Sequence, residues 1–172
     1  MSQIESSVIK ERVADLYGYV HRSLSFVEGK NGALAALNSG IIIGVLRLYT
    51  LGQNCWLILG FLLPIFGSLI IVLLSFYPLN SSKEKKKSKA HDKNLFSCEN
   101  ISLLTLEALK SRVYEGQEMT FFENDKIENI YHAAVVASRK YKLFRSALYT
   151  MSLSPIGLLI AYIITLFINS HE

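Results

Sequence analysis

The chain has 172 residues, of which 51% are hydrophobic and 19% are charged, values close to those of ordinary soluble domains. The charges are unevenly distributed: none falls within residues 48–82, a run of 35 residues, or within residues 146–170, a run of 25. A helix that crosses a bilayer needs about 20 mostly apolar residues. The distribution therefore excludes a plain soluble globular domain, and it excludes disorder along most of the chain.

Three apolar stretches predict an all-α membrane protein with three transmembrane helices. The first stretch covers about residues 32–49, the second residues 55–79 and the third about residues 146–168. Pro64 is expected to kink the second helix, and Pro155 lies in the first half of the third. Both prolines are tolerated in lipid, because neighbouring helices can satisfy the carbonyl groups that they leave unpaired.

The basic residues predict the direction of the three crossings. Residues 1–30 carry four Lys or Arg and residues 80–145 carry thirteen, whereas the 47–54 turn has only Arg47 and the C-terminal tail has none. The N-terminus and the 80–145 segment are therefore expected in the cytoplasm and the C-terminus outside. The predicted segments are a cytoplasmic amphipathic helix (1–30), a transmembrane hairpin (31–79), a lysine-rich cytoplasmic loop (80–98), cytoplasmic helices (99–145), a third span (146–168) and an external tail (169–172).

Apolar periodicity predicts helices in the cytoplasmic part. The first is an N-terminal helix that leads into the first span, with Ile9, Val13, Leu16, Val20 and Val27 on one face. A second helix ends at Gly116 and has apolar residues on two sides, which is typical of a helix packed between others. Those residues are Leu103, Leu106, Leu109 and Val113 on one side and Ile101, Leu104 and Ala108 on the other.

A third cytoplasmic helix is expected to begin at Asp125, which with Glu128 has the spacing of a capping box. Its apolar positions alternate by three and four residues: they are Ile127, Ile130, Ala134, Ala137, Tyr141, Phe144 and Leu148. The stripe continues into the third span, so the first and third helices extend from spans and form a cytoplasmic bundle. Such helices could convey cytoplasmic events into the membrane, or they could simply supply the contacts that a three-helix bundle needs.

Small residues recur every four positions in the first span, at Ala36, Gly40 and Gly44. This spacing lets two helix backbones approach closely. Packing against the second span of the same chain is favoured over self-association. Asn38, near that face, is a candidate to donate a hydrogen bond across a helix interface, either between chains or within one.

Polar residues at two membrane boundaries are candidate ligand contacts. Lys30 and Asn31 cluster with Glu28 where the first helix is expected to meet the bilayer. The favoured interpretation is interfacial anchoring, and the alternative is a nucleotide or partner surface. The basic group best placed for phosphate precedes the third span, where contact with anionic lipid is the alternative; it consists of Arg139, Lys140, Lys142 and Arg145.

Catalytic motifs and metal-ligand spacings are missing from the sequence. The two cysteines, Cys55 and Cys98, suggest neither a disulfide framework nor a metal cluster. There is no phosphate-binding glycine loop, serine elbow or dinucleotide fingerprint. Arg47 is the only ionisable residue within the predicted spans. We therefore expect no catalytic residue, no metal site and no proton-coupled transport.

Two stretches resemble the Pycsar transmembrane effector family. One is Phe26-Val-Glu-Gly-Lys-Asn-Gly-Ala-Leu-Ala-Ala-Leu-Asn38, which is similar to the family's acidic-x-Lys entry into its first membrane helix. The other is Ile130-Tyr-His-Ala-Ala-Val-Val-Ala-Ser-Arg-Lys-Tyr-Lys-Leu-Phe144, which is similar to the helix before its last span. The order of elements also resembles the related two-span effectors of bacterial nucleotide-signalling operons.

The resemblance implies a bacterial antiphage protein of the inner membrane. The family's activating ligand is a cyclic mononucleotide made by a partner nucleotide cyclase during infection, and activation damages the membrane and halts growth. Lys30 and Lys140 are the positions that match the family's motifs. Glu28 stands where the family more often has aspartate.

The leading hypothesis is an effector whose cytoplasmic helices sense the nucleotide and whose spans assemble to breach the lipid bilayer. A chain with so few spans forms a pore only by association, so a homo-oligomer is expected, with no cofactor and no nucleic-acid partner. Two alternatives belong to other classes: a membrane-anchored helical scaffold that recruits a partner protein, and an accessory subunit of a transporter.

Overall fold

The structure, a computed structural model, describes residues 2–50, 55–77, 95, 97–114 and 121–169. The described part is all-helical and contains no strand, which confirms the predicted secondary-structure class. Its helices are α1 (Ser2–Thr50), α2 (Cys55–Phe76), α3 (Cys98–Leu103), α4 (Leu106–Tyr114), α5 (Phe121–Ser152) and α6 (Ser154–Asn169). Gly116, the predicted end of a helix, lies outside the described residues.

The chain divides into two compact units. Unit 1 consists of Met1–Glu28 and Pro78–Lys140, and unit 2 consists of Gly29–Tyr77 and Tyr141–Glu172. Helices α1 and α5 each contribute to both units, because the divisions fall inside them. The predicted topological segments stay predictions.

Unit 1 has a core of branched aliphatic side chains. Ile101, Leu109, Ile127 and Ile130 are all fully buried and belong to one hydrophobic cluster. The stripe predicted for the N-terminal helix is buried at every position, because residues three and four apart share one helix face; it consists of Ile9, Val13, Leu16, Val20 and Val27. The hydroxyl of Ser102 donates a hydrogen bond to Ser138 Oγ at 3.1 Å and thereby connects α3 to α5.

The second cytoplasmic helix is interrupted, contrary to the prediction of one continuous helix. Leu104 has an extended backbone, with φ −80° and ψ 161°, so α3 ends before it and α4 begins at Leu106. Thr105 accepts a hydrogen bond from the Ala108 N–H at its Oγ1 (3.2 Å) and caps α4. The Leu104 side chain is buried although its backbone is not helical, so the pattern of apolar residues in the sequence did not indicate the break between α3 and α4.

Helix α5 begins earlier than predicted. It starts at Phe121, so Asp125 lies inside the helix and the capping-box prediction is wrong. The predicted stripe is fully buried at Ile127 and Ile130, but Leu148 is 43% exposed and Ala147 is buried in its place. An α-helix turns every 3.6 residues, so a heptad pattern gradually rotates away from a straight partner.

Unit 2 contains an antiparallel helix pair formed by part of α1 and α2. Leu34 of α1 clusters with Val72 of α2 and with Ala147 of α5. Further along the pair, Ile42 clusters with Leu62 and Ile65. Residue numbers in contact increase along α1 while they decrease along α2, so the two helices run in opposite directions.

The predicted third span is broken by a turn. Leu153 separates α5 from α6, and its N–H donates to the Thr150 carbonyl at 3.2 Å, which closes a three-residue turn of the 3₁₀ type. Pro155 follows as the second residue of α6, where its missing N–H is least costly. The proline therefore ends one helix and begins another.

Helices α2 and α6 of unit 2 approach each other closely at two glycines. A Cβ atom added to Gly60 would lie 2.6 Å from both the Gly157 carbonyl oxygen and Ala161 Cβ, and one added to Gly157 would overlap the Gly60 carbonyl oxygen. Only glycine permits this backbone contact. The two helices are therefore held together by van der Waals packing of backbones.

Two helices of the described part are long and apolar enough to cross a membrane, Trp56–Phe76 and a stretch within Phe122–Phe167. Only 22% and 11% of their apolar windows are buried, which is unlike the core helix of a soluble protein. The first predicted span, about residues 32–49, is not among the candidates found in the described residues. Two of the three predicted crossings are thus supported.

Candidate functional site

Lys140, one of the predicted ligand contacts, is engaged in an ion pair within unit 1. Its Nζ donates a hydrogen bond to Glu28 Oε1, which connects α5 to α1 across 112 positions of sequence. The Lys140 side chain is 15% exposed and that of Glu28 is 47% exposed. The lysine is therefore mostly covered, while the carboxylate remains accessible from solution.

Lys30 packs against aromatic rings within unit 2. Its Nζ lies 5.6 Å from the centroid of the Phe144 ring and 6.0 Å from that of Tyr141. A cation at this distance is attracted by the electron-rich ring faces. The arrangement suits a lysine that anchors a helix boundary, as the sequence favoured.

Asn31 and Arg139 occupy opposite environments. Asn31, in unit 2, is 0% exposed, and neither polar atom of its side chain has a hydrogen-bond partner among the described residues. Arg139, in unit 1, is exposed. The contacts described do not bring the four predicted ligand residues to one site. What they reveal is a lysine already paired with a carboxylate.

Lys140 Nζ already donates to Glu28, so an anion that approaches it competes with this carboxylate. Ion pairs with this degree of exposure typically contribute about 0.2–1 kcal/mol. An incoming phosphodiester carries the same single negative charge as the Glu28 carboxylate on two acceptor oxygens, so exchange is chemically straightforward. The sequence identified Glu28 as part of a boundary cluster and of the acidic-x-Lys motif, but it did not indicate Lys140 as its partner.

The small residues predicted to pack helices face outwards. Ala36, Gly40 and Gly44 are all exposed, and no atom of the described residues lies within 4 Å of a Cβ added to either glycine. The expected close packing of this face against the second span is therefore absent from the described part of the protomer. Packing of this face between protomers stays a prediction.

Asn38 does form an interhelical hydrogen bond inside the protomer. Its Nδ2 donates to Ser68 Oγ at 2.9 Å, and both residues are fully buried. Sequence reasoning missed Ser68, as it missed the Gly60–Gly157 contact. Gly157 and Ala161 have the same four-residue spacing of small residues as the face on α1, which was the available signal.

Two titratable groups of unit 1 are perturbed by burial. Burial raises the pKa of the Cys98 thiol, and a hydrogen bond with the Ser23 side chain offsets part of the change. Burial also raises the pKa of the Tyr114 hydroxyl, and the negative charge of Glu123 adds to it. Among the described residues no cluster of three or more His, Cys, Asp or Glu side chains is arranged to hold a metal ion.

A protein-family model described as the Pycsar effector protein domain matches residues 12–168. The chain belongs to the Pycsar effector family. The match includes most of both units and confirms the resemblance carried by residues 26–38 and 130–144. This Pycsar effector is accordingly an effector of antiphage defence, and its two apolar helices indicate a membrane location. No curated protein and no solved structure matches the chain.

Proposed function

We propose that this Pycsar effector is a non-enzymatic protein of the bacterial inner membrane that detects a cyclic mononucleotide during phage infection. A partner nucleotide cyclase supplies the ligand. Binding to unit 1 causes protomers to assemble, and their membrane helices then disrupt the bilayer and halt growth. The family match over residues 12–168 is the observation that carries the proposal.

The surface of unit 2 supports a membrane role. Of the 28 large hydrophobic residues that are exposed in the described part of the chain, 24 lie in unit 2 and four in unit 1. An apolar surface of this extent is stable in hydrocarbon and not in water. We propose that α2, the third predicted span (about residues 146–168) and the Gly29–Thr50 part of α1 all cross the membrane, with the N-terminus and lysine-rich loop in the cytoplasm and the C-terminus outside.

Ligand detection is proposed to begin at Lys140. The phosphate of the ligand replaces the Glu28 carboxylate, with Arg139 as an exposed second cation beside it in the sequence. A ligand role for Lys30 and Asn31, which belong to unit 2, stays a prediction from the sequence. Since the displaced ion pair joins α1 to α5 in unit 1, ligand binding changes the contact between the two helices that also contribute to unit 2.

Assembly is proposed to use the exposed small-residue face of α1. Two such faces can bring backbones together without displacing a side chain, because Gly40 and Gly44 have open space around them. A chain with three spans cannot enclose an aqueous path by itself. Several protomers are therefore required for membrane disruption.

The proposal is tested by infecting bacteria that express the protein together with its partner cyclase. A voltage-sensitive dye should report loss of membrane potential before phage release, and phage yield should fall. Unchanged potential together with reduced phage yield would instead favour a scaffold that recruits another protein. If neither changes, the proposed function is wrong.

The ligand step is tested with three single substitutions. K140Q should abolish binding of 3′,5′-cyclic nucleoside monophosphates to the purified protein, as measured by equilibrium dialysis with each of the four common ones. E28Q removes the competing carboxylate and should tighten binding by up to about fivefold, the equivalent of one exposed ion pair. K142Q is the matched control, because Lys142 is an exposed base on the same helix. Equal losses in K140Q and K142Q would show that general positive charge, and not Lys140, matters.

A further inference from the structure

Four polar side chains of α1 and α2 are buried in unit 2. Asn31 and Asn38 of α1 and Ser68 of α2 are 0% exposed, and Ser75 of α2 is 5% exposed. Apolar residues would pack such a contact at no electrostatic cost, and polar residues inside membrane segments usually mark a functional path. We call these four residues the polar stripe.

The register of the helix pair places the polar stripe on two levels. Asn38 bonds to Ser68, which defines the antiparallel alignment. Moving seven residues back along α1 leads to Asn31, and moving seven residues forward along α2 leads to Ser75. Leu34 and Val72, which belong to one cluster, lie between these levels. The stripe therefore extends for about 10 Å along the helix axes, given a rise of about 1.5 Å per residue.

Most polar atoms of the stripe lack a partner. Asn38 Nδ2 is satisfied by Ser68, but both polar atoms of Asn31, Asn38 Oδ1 and Ser75 Oγ have no hydrogen-bond partner among the described residues. Unpaired groups of this kind are costly in a low-dielectric interior. A conformation in which they meet water removes that cost.

We propose that the polar stripe lines the aqueous path through the bilayer when the effector is activated. The inference deepens the proposed function and rests on it, since it names the residues that water and ions contact during membrane disruption. In the structure described the stripe is buried, and Asn38 of α1 bonds to Ser68 of α2 across the helix pair. Activation separates the pair, and the amide and hydroxyl groups then face water.

The remaining part of the same contact is apolar. Ile42 of α1 packs with Leu62 and Ile65 of α2. An apolar constriction resists entry of water and ions even when it is narrow rather than closed. The pair thus combines a polar half, suited to line a path, with an apolar half that keeps the path dry before activation.

The inference is tested by cysteine accessibility in a variant whose own cysteines, Cys55 and Cys98, are replaced by serine. S68C and S75C are conservative changes within the stripe, and N31C and N38C extend the test to α1. The matched control is L73C, because Leu73 lies between the two serines on the same helix and is 54% exposed on the apolar surface. Cells carrying each variant and the cyclase are treated with a membrane-impermeant, charged thiol reagent before and during infection.

Stripe cysteines should be labelled only after activation, because the reagent needs a thiolate in contact with water. L73C should stay unlabelled in both states. Labelling of L73C alone, or of stripe cysteines before infection, overturns the inference. Loss of membrane potential without labelling of the stripe also overturns it while the proposed function stands. Without loss of potential the proposed function fails, and the inference fails with it.

A second measurement does not depend on cysteine. Threonine and valine have nearly the same shape and differ in one hydroxyl, so S68T/S75T and S68V/S75V form a matched pair. The threonine variant should retain loss of membrane potential on infection, and the valine variant should lose most of it while expressing at the same level in the membrane. Equal behaviour of the two variants contradicts a water-lined role for the stripe.

Discussion

The two units are stabilised in opposite ways. Unit 1 buries large aliphatic side chains such as Ile101 and Ile130 and exposes few apolar residues, as a domain in water does. Among the residues that the structure describes, unit 2 exposes most of its large apolar side chains and buries five polar ones, against two in unit 1. Its tightest contact is between glycine backbones. The difference teaches that the two units depend on different packing interactions: burial of aliphatic side chains in unit 1, and close backbone contacts and polar contacts between helices in unit 2. Burial of apolar area is a driving force only where water is displaced.

The comparison is tested most strongly by the same type of substitution, isoleucine to alanine, made once in each unit. I130A removes a fully buried side chain from unit 1 and should lower the free energy of unfolding by about 2–5 kcal/mol. I163A removes an apolar side chain that is 55% exposed in unit 2 and should change it by no more than about 0.5 kcal/mol. Denaturant titration of the full chain in detergent measures both. A large effect of I163A would mean that this face of α6 packs against protein.

The glycine contact predicts an intermediate effect with a close control. G60A places a methyl group against Gly157 and Ala161 and should destabilise the protein by about 1–3 kcal/mol through overpacking. G40A meets open space and should be neutral or stabilising by up to about 1 kcal/mol, since alanine favours the helix. Thermal unfolding of the two variants in the same detergent distinguishes them. A destabilising G40A in a dilute, monomeric sample would contradict an open glycine face.

The smallest expected effect concerns the Cys98 thiol of unit 1. Burial raises its pKa, so the folded protein holds the proton more tightly than the unfolded chain does. The associated stability is present below the ordinary pKa of the thiol and declines as the pH rises through the raised value. In a C55S variant, alkylation at pH 8 should be slow in the folded protein and fast after denaturation. Equal rates in both states would show that Cys98 is open to solvent.

Some elements of the fold could be predicted because their pattern lies within a single helix. The face from Ile9 to Val27 is buried as its spacing indicated, and the apolar run of α2 needs no partner to be recognised. The break at Leu104 and Thr105 could not be predicted in this way, since a buried leucine fits a helical pattern whether or not its backbone is helical. The capping-box sequence at Asp125 likewise gave the wrong helix start, because α5 begins at Phe121.

The sequence identified individual polar residues but not the residues that they contact. Lys140 and Asn38 were both identified from the sequence, yet their partners, Glu28 and Ser68, lie 112 and 30 positions away. A small-residue ladder was recognised on α1, whereas the close backbone contact formed between Gly60 and Gly157. Spacing along one helix shows that a face can pack closely and does not show which helix will meet it.

The sequence by itself determined which stretches avoid water, which helix faces are apolar and to which family the chain belongs, because hydrophobic periodicity and composition are local properties. Only the tertiary structure decided that Glu28 forms an ion pair with Lys140, that the backbones of Gly60 and Gly157 are in contact and that the polar stripe of α1 and α2 is buried. These contacts depend on the register and rotation of helices that are distant in the chain. Small differences in packing fix both quantities, and no single stretch of sequence encodes them.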